Sequence, residues 1–149
     1  MPRLVFETLL PCPIARVWEF HASAEALKAL TPPWRQVEVH SDDLRVVEGA
    51  IHRIRVKMGP IRLEWHARIV ACDPPRGFTD VADRSPFASW LHHHRFISMG
   101  PATTKLRDEI EYDAPFGILG RIADVLFIRR DLERLFAFRH AETARLLAD

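Results

Sequence analysis

The chain has 149 residues, of which 48% are hydrophobic and 28% are charged, a composition that excludes an intrinsically disordered protein. Its 21 lysines and arginines are balanced by 20 aspartates and glutamates, and the formal charge of +1 argues against nucleic acid as a partner. A chain of this length favours one domain over residues 1–149.

Cysteine usage and the distribution of apolar residues bear on where the protein works. Cys12 and Cys72 lie far apart and match no zinc-ligand or redox-motif spacing, so reduced thiols are expected. The N-terminus lacks the basic and apolar regions of a secretory signal, and no apolar run reaches the ~20 residues that cross a bilayer. We therefore expect a cytoplasmic protein without stable membrane insertion.

The first third of the chain predicts one strand followed by two short helices. Residues 3–10 are apolar-rich and strand-like, and Pro13 suits the first turn of a helix. Ser23 is the expected cap of a second helix through Leu30. Two prolines after Thr31 then end that helix, because proline disfavours helical geometry in the residue before it.

The rest of the chain divides into strands and one helix. From Trp34 to Pro115 the hydrophobic pattern has a period of two, with turn residues such as Gly59-Pro60 between segments, and it predicts six antiparallel strands. After Gly117 the period returns to 3.6, which predicts one long terminal helix that Gly120 bends or delays. Its predicted apolar face consists of Ile118, Ile122, Val125, Leu132, Leu135, Phe136, Thr143 and Leu146.

Three consecutive histidines lie in the predicted strand between Phe87 and Phe96. Because side chains alternate along a strand, His92 and His94 share one face with Trp90 and Phe96, whereas His93 lies on the solvated face. Imidazoles among aromatic residues need hydrogen-bond partners. This face is therefore predicted to contain a polar network or to border a cavity.

Strand register predicts the partners of the two inward histidines. A turn at Gly100-Pro101 places His94 opposite Asp108, which interrupts the otherwise apolar face formed by Leu106, Ile110 and Tyr112. A turn near residues 84–87 places His92 opposite Asp80. Each histidine is thus predicted to have its own carboxylate, and a slip of one residue would separate both pairs.

Three interpretations of these His-Asp pairs remain open. They form a satisfied structural network, they anchor a polar group of a ligand, or they perform general acid–base catalysis with His92 and His94 as acid and base and Asp80 and Asp108 as orienting partners. Two histidines and an aspartate also resemble a metal site. Since the carboxylates already satisfy the imidazoles, we expect no metal ion and no cofactor.

Several bulky side chains are candidates to line a ligand cavity with the two histidines, although inward-facing aromatics are equally typical of a plain core. The predicted ligand-binding set is Trp34, Met58, Trp65, Phe78, Trp90, His92, His94, Phe96 and Tyr112. His21 and His52 are expected at the rim. Residues 31–34 are expected to form either a lid or a rigid connection.

The order of elements resembles the helix-grip fold of the START-like SRPBCC superfamily, and the motifs are similar to those of bacterial single-domain SRPBCC proteins and of a segment fused to an epimerase-like domain. The residues that carry this resemblance are Leu30-Thr-Pro-Pro-Trp34, Gly59-Pro60, Trp65, Gly77-Phe78-x-Asp80, Pro86-Phe87-x-x-Trp90-x-His92-x-His94-x-Phe96, Asp108-x-x-x-Tyr112 and Pro115-Phe-Gly117.

This resemblance implies an α+β fold in which a curved seven-stranded antiparallel sheet wraps around a long C-terminal helix and leaves a cavity between them. It implies binding or carriage of a small hydrophobic, amphipathic or aromatic ligand. A cyclase or dehydratase that uses the His-Asp pairs is the alternative, and a partner-binding module with a filled core is a further one. A homodimer is compatible with each.

Overall fold

A computed structural model describes residues 2–58 and 60–148, including the backbone but not the side chain of Met58. Gly59, a predicted turn residue, and the Met58 side chain therefore lie outside the described part. Between Pro11 and Trp34 the chain forms the two predicted helices. The elements in chain order are β1 (Arg3–Leu10), α1 (Ile14–His21), α2 (Ala24–Ala29), β2 (Gln36–Val39), β3 (Ile51–Met58), β4 (Ile61–Asp73), β5 (Gly77–Arg84), β6 (Ser89–Ser98), β7 (Thr104–Asp113), α3 (Gly117–Ala123) and α4 (Arg129–Leu146).

The seven strands form one antiparallel sheet in the order β1-β7-β6-β5-β4-β3-β2. Each strand from β2 to β6 thus pairs with the strand that follows it in the chain. β1 pairs with β7 and forms the edge of the sheet opposite β2. The α+β helix-grip architecture is confirmed by this sheet and by the terminal helical segment. No helix in residues 2–58 and 60–148 is long and apolar enough to cross a membrane.

The alternating pattern of β7 is reproduced by the structure. Leu106, Asp108, Ile110 and Tyr112 are buried, while the residues between them are partly exposed. Ile110 and Tyr112 pack with Trp90 of β6 and with Leu132 and Phe136 of α4. The hydrophobic core therefore lies between one face of the sheet and α4, which covers the strands that carry the histidines.

The terminal helical segment differs from the single amphipathic helix that we predicted. A π-helical turn at Asp124–Ile128 separates α3 from α4. Ile118, Ile122 and Val125, predicted to face the core, are 73%, 53% and 72% exposed. The inward position is taken instead by Asp124, which is buried and accepts a hydrogen bond from the Tyr112 hydroxyl. Because a π turn changes the angular step per residue, the apolar face of α3 does not continue that of α4.

Glycines allow two close approaches that position these elements. A Cβ atom on Gly120 would lie 1.8 Å from the carbonyl oxygen of Pro115, so α3 packs directly on the chain that enters it. A Cβ on Gly77 would lie 1.9 Å from the carbonyl oxygen of His94. The backbone of β5 therefore approaches β6 at the histidine segment in a way that only glycine permits.

Replacement of Gly77 by alanine is expected to destabilise the protein by at least about 2 kcal/mol more than replacement of Gly100. Both glycines have nearly the same positive φ, +139° and +137°, but a Cβ on Gly100 would meet no atom within 4 Å. The difference between Gly77→Ala and Gly100→Ala in urea unfolding thus isolates the steric contact with β6. Equal losses of stability would show that this contact relaxes freely.

Candidate functional site

A cavity of about 690 Å³ lies between the sheet and α4. Its size falls within the range of small-molecule sites, which runs from about 300 to 1,000 Å³. Aliphatic and aromatic side chains form most of its wall, including Leu30, Ile54, Leu63, Trp65, Trp90 and Leu132. Polar side chains from β5, β6 and α4 also line it, namely Asp80, His92, His94, Asp131 and Arg139.

The predicted backbone register of the histidines is confirmed, but their side chains choose other partners. His94 pairs with Asp108 across β6 and β7, and His92 pairs with Asp80 across β5 and β6. The imidazoles nevertheless donate diagonally: His92 Nε2 lies 2.6 Å from Asp108 Oδ1, and His94 Nε2 lies 2.6 Å from Asp80 Oδ2. The short hydrogen bonds thus join each histidine to the other aspartate from the one predicted, although His94 Nδ1 also lies 3.6 Å from Oδ1 of its predicted partner, Asp108.

Asp108 also binds a histidine of the C-terminal helix. Its second oxygen, Oδ2, lies 2.6 Å from His140 Nε2, and His140 Nδ1 lies 2.9 Å from the hydroxyl of Thr8 in β1. Asp108 therefore joins β6, β7 and α4 through one carboxylate. His140 was missed by the sequence analysis, although it lies one helical turn after Phe136 on the predicted apolar face, where a histidine requires a buried partner.

Both aspartates are held in the charged form. Burial raises the pKa of Asp80, but the hydrogen bond from His94 and the charges of the nearby imidazoles together lower it by more. The pKa of Asp80 therefore lies below its ordinary value. The pKa of Asp108 lies well below its ordinary value, because the hydrogen bonds from His140 and His92 outweigh burial. A carboxylate that accepts several hydrogen bonds is stabilised in this way.

His94 is driven toward the neutral form. Burial and the adjacent His92, whose ring stacks on it at a centroid distance of 3.7 Å, lower the pKa of His94 against the opposing effect of Asp80. The Phe78 ring covers His94 at 3.9 Å. A neutral His94 that donates through Nε2 retains a proton acceptor at Nδ1.

The polar cluster divides into two parts. Asp80, His92 and His94 border the cavity, whereas the buried Asp108 and His140 do not line it and bond each other, and His140 also bonds Thr8. In the described part of the chain every fully buried side-chain nitrogen and oxygen has a hydrogen-bond partner. The inner part thus joins strands and helix within the core, and the outer part is exposed to the cavity.

The outer part also offers ligand atoms for a metal ion. One atom each of Asp80, His92 and His94 lies within 4.8 Å of the others. Each imidazole donates through Nε2 to a carboxylate, and in the neutral form its Nδ1 keeps a lone pair that could bind a metal ion, so these hydrogen bonds do not exclude coordination. That the protein works without a metal ion stays a prediction.

The predicted ligand-binding residues fall into three groups. Trp65, Phe78, Trp90, His92 and His94 line the cavity. Trp34, Phe96 and Tyr112 do not line it: Phe96 and Tyr112 are buried in the core, and Trp34 is 39% exposed. The side chain of Met58 is outside the described part of the chain.

Two histidines that we expected at the rim are among the residues that line the cavity. His21 donates from Nδ1 to the carbonyl of Val17 and packs its ring 4.7 Å from that of Phe96. His52 lies on β3, and its Nε2 is 3.0 Å from the carbonyl of Arg45. The sequence did contain an indication of this position: His21 lies one helical turn after Val17, which is completely buried, so both side chains point to the same face of α1.

Residues 31–34, which we predicted to form a lid or a rigid connection, lie along one side of the cavity. Thr31, Pro32 and Arg35 line it, and Arg35 forms an ion pair with Asp131 of α4. Trp34 packs edge-on against a phenylalanine of α4, and the guanidinium of Arg134 lies 3.9 Å from its ring centroid. Residues 31–35 therefore attach to α4 through both charged and aromatic contacts.

His21 is expected to make stability depend on pH. Burial lowers its pKa from 6.5 to about 4, so between these values the unfolded chain binds a proton that the folded chain does not. Stability should therefore fall as the pH falls from 6.5 to 4, by up to about 3 kcal/mol from this residue. His21→Gln should flatten the profile measured by urea unfolding. The exposed His40→Gln is the control, and parallel profiles for His21→Gln and the unaltered protein would contradict the assignment.

Comparison with solved structures shows the same fold over nearly the whole chain. A protein from Chromobacterium violaceum is 12% identical, with 99% of this chain and 97% of that chain covered and a TM-score of 0.77. The Zhui aromatase/cyclase from Streptomyces sp. R1128 is 16% identical, with coverages of 99% and 93% and a TM-score of 0.73. At these identities the likeness establishes the fold alone.

The same fold also occurs as part of a larger protein. A nucleoside-diphosphate sugar epimerase from Corynebacterium glutamicum is 23% identical with a TM-score of 0.66, and the match covers 95% of this chain but 28% of the epimerase. No curated protein matches the sequence. A family model described as polyketide cyclase/dehydrase and lipid transport matches residues 10–139. The chain therefore belongs to the polyketide cyclase/dehydrase and lipid transport family.

Proposed function

We propose that this protein binds a small hydrophobic or amphipathic molecule in the cavity between the sheet and α4. The observation that carries the proposal is the cavity of about 690 Å³, with apolar side chains over most of its wall and polar groups gathered from β5, β6 and α4. Apolar contact would supply affinity, while the few polar groups would fix orientation. A filled core, the further alternative, is at odds with a cavity of this size.

The cavity is large for an empty space inside a protein. At about 30 Å³ per water molecule it has room for roughly twenty waters. Displacement of water from its aromatic and aliphatic wall would favour an apolar ligand. The free thiols of Cys12 and Cys72 fit a reducing compartment, and we place this binding in the cytoplasm.

Mass spectrometry of the purified protein tests the proposal. Denatured extracts should release a small apolar molecule, and the delipidated protein should gain thermal stability when lipids or aromatic compounds are added, because a ligand that binds only the folded state stabilises it. An empty extract together with no thermal shift for either class would overturn the proposal.

Acid–base catalysis is the second candidate, and the position of His94 favours it. This neutral imidazole lines the cavity, donates to Asp80 and retains a proton acceptor at Nδ1. The Zhui aromatase/cyclase, which has the same fold, makes a polyketide-like substrate a reasonable choice for assay. His94→Gln should then abolish turnover and leave binding largely intact. Absence of turnover by the unaltered protein on linear polyketide analogues would remove this candidate.

A further inference from the structure

Arg139 on α4 lines the cavity but is not used by the polar network. Two arginines line the cavity, Arg35 and Arg139. Arg35 is paired with Asp131. Among the described residues, no carboxylate oxygen lies within 4.0 Å of the Arg139 guanidinium, and no acceptor forms a hydrogen bond with it. Its guanidinium carbon lies 5.5 Å from the ring centroid of Phe136.

The nearest acidic groups do not supply the missing acceptors. Asp108 accepts from His92 at one oxygen and from His140 at the other, and Asp80 accepts from His94. These carboxylates act on Arg139 through their charge and not through a hydrogen bond. Burial lowers the pKa of Arg139, and the charges of Asp108 and Asp80 offset only part of that effect. A guanidinium remains charged under such conditions and carries five N–H donors.

These donors border the cavity. Every fully buried side-chain nitrogen in residues 2–58 and 60–148 has a partner, so the unpaired guanidinium must face open space. The open space that Arg139 lines is the cavity. A charged group surrounded by apolar side chains is costly unless something accepts its hydrogen bonds.

We propose that Arg139 is the subsite for an anionic oxygen group, so that the ligand is a hydrophobic carboxylate rather than a neutral apolar molecule. The planar fork of N–H donors matches the two oxygens of a carboxylate, while Phe136, Leu132 and Leu135 beside it on α4 contact the apolar body. This inference rests on the proposed function and narrows it to one class of ligand.

Two matched pairs of probes test the charge preference by titration calorimetry at pH 7.5. Decanoate is compared with decan-1-ol, and naphthalene-2-carboxylate with naphthalene-2-methanol. In the pair that binds, the carboxylate should bind more tightly, and Arg139→Met should weaken its binding about 10-fold to 100-fold while the alcohol is little affected. Arg139→Lys keeps the charge and should keep part of the preference.

The control is Arg130→Met, an exposed arginine of the same helix, which should change none of these affinities. Equal binding of carboxylate and alcohol, or a preference that survives Arg139→Met, would overturn the anionic subsite and leave the proposed function intact. Failure of all four probes to bind would overturn the anionic subsite, and the proposed function would fall with it only if the denatured extract were also empty and neither lipids nor aromatic compounds shifted the thermal unfolding.

Discussion

Replacement of Asp108 by alanine is expected to lower the free energy of unfolding by about 3–5 kcal/mol. The carboxylate is buried and accepts hydrogen bonds from His92 and His140, both at 2.6 Å. Its removal deprives two buried imidazoles of this acceptor and removes the hydrogen bond between β7 and α4. Urea unfolding followed by tryptophan fluorescence measures the loss.

Two further variants separate the hydrogen bonds from other effects. Asp108→Asn keeps the shape but presents an amide nitrogen to one imidazole, so an intermediate loss of about 1–3 kcal/mol is expected. Glu111→Ala lies on the same strand, on its outer face, and should stay within about 0.5 kcal/mol of the unaltered protein. A loss below about 1 kcal/mol for Asp108→Ala would show that the network does not hold the strands to α4.

Replacement of Ala67 by tryptophan is expected to abolish ligand binding by filling the cavity. Ala67 lies on β4 between Ala82 of β5 and His52 of β3, and it lines the cavity. An indole at this position would occupy the space of an apolar ligand, and we expect the affinity for decan-1-ol to fall at least about 100-fold, which corresponds to about 2.8 kcal/mol. Titration calorimetry measures the change.

A matched control lies on the same strand. Ala71 is exposed, so Ala71→Trp adds the same side chain outside the cavity and should leave the affinity unchanged. Thermal unfolding shows whether both variants fold. If Ala67→Trp is folded and binds decan-1-ol as tightly as Ala71→Trp does, the ligand does not occupy this cavity.

The alternation of apolar and polar residues was sufficient to predict the sheet. In β7 the period of two placed Leu106, Asp108 and Ile110 on the buried face, and the turn at Gly100-Pro101 gave the register of Asp108 with His94. Register follows from turn position and from burial of one face, and both can be read from the sequence.

The side-chain partners within that register could not be predicted. In an antiparallel sheet a long side chain reaches its diagonal neighbour as well as the residue opposite. His92 and His94 both take the diagonal aspartate, because the choice depends on side-chain torsion angles and on the stacking of the two rings at 3.7 Å. The backbone register determines neither these torsion angles nor the stacking of the rings.

Contacts between distant segments were also beyond sequence analysis. His140 binds Asp108 and Thr8, which are 32 and 132 residues away along the chain, and only the docking of α4 on the sheet brings them together. At the π-helical turn of residues 124–128, Asp124 likewise bonds Tyr112 of β7, a contact that the helical period does not reveal. Such a tertiary contact outweighs the regular helical period that Ile118 and Ile122 indicate.

The central claim, that the cavity between the sheet and α4 takes up an apolar ligand, is tested most directly by isotope-filtered NMR. In the complex with decan-1-ol we predict intermolecular NOEs from the ligand chain to the indole protons of Trp65 and Trp90 and to the methyl groups of Leu132. Ligand contacts confined to exposed side chains of α3, such as Ile118 and Ile122, would contradict the claim.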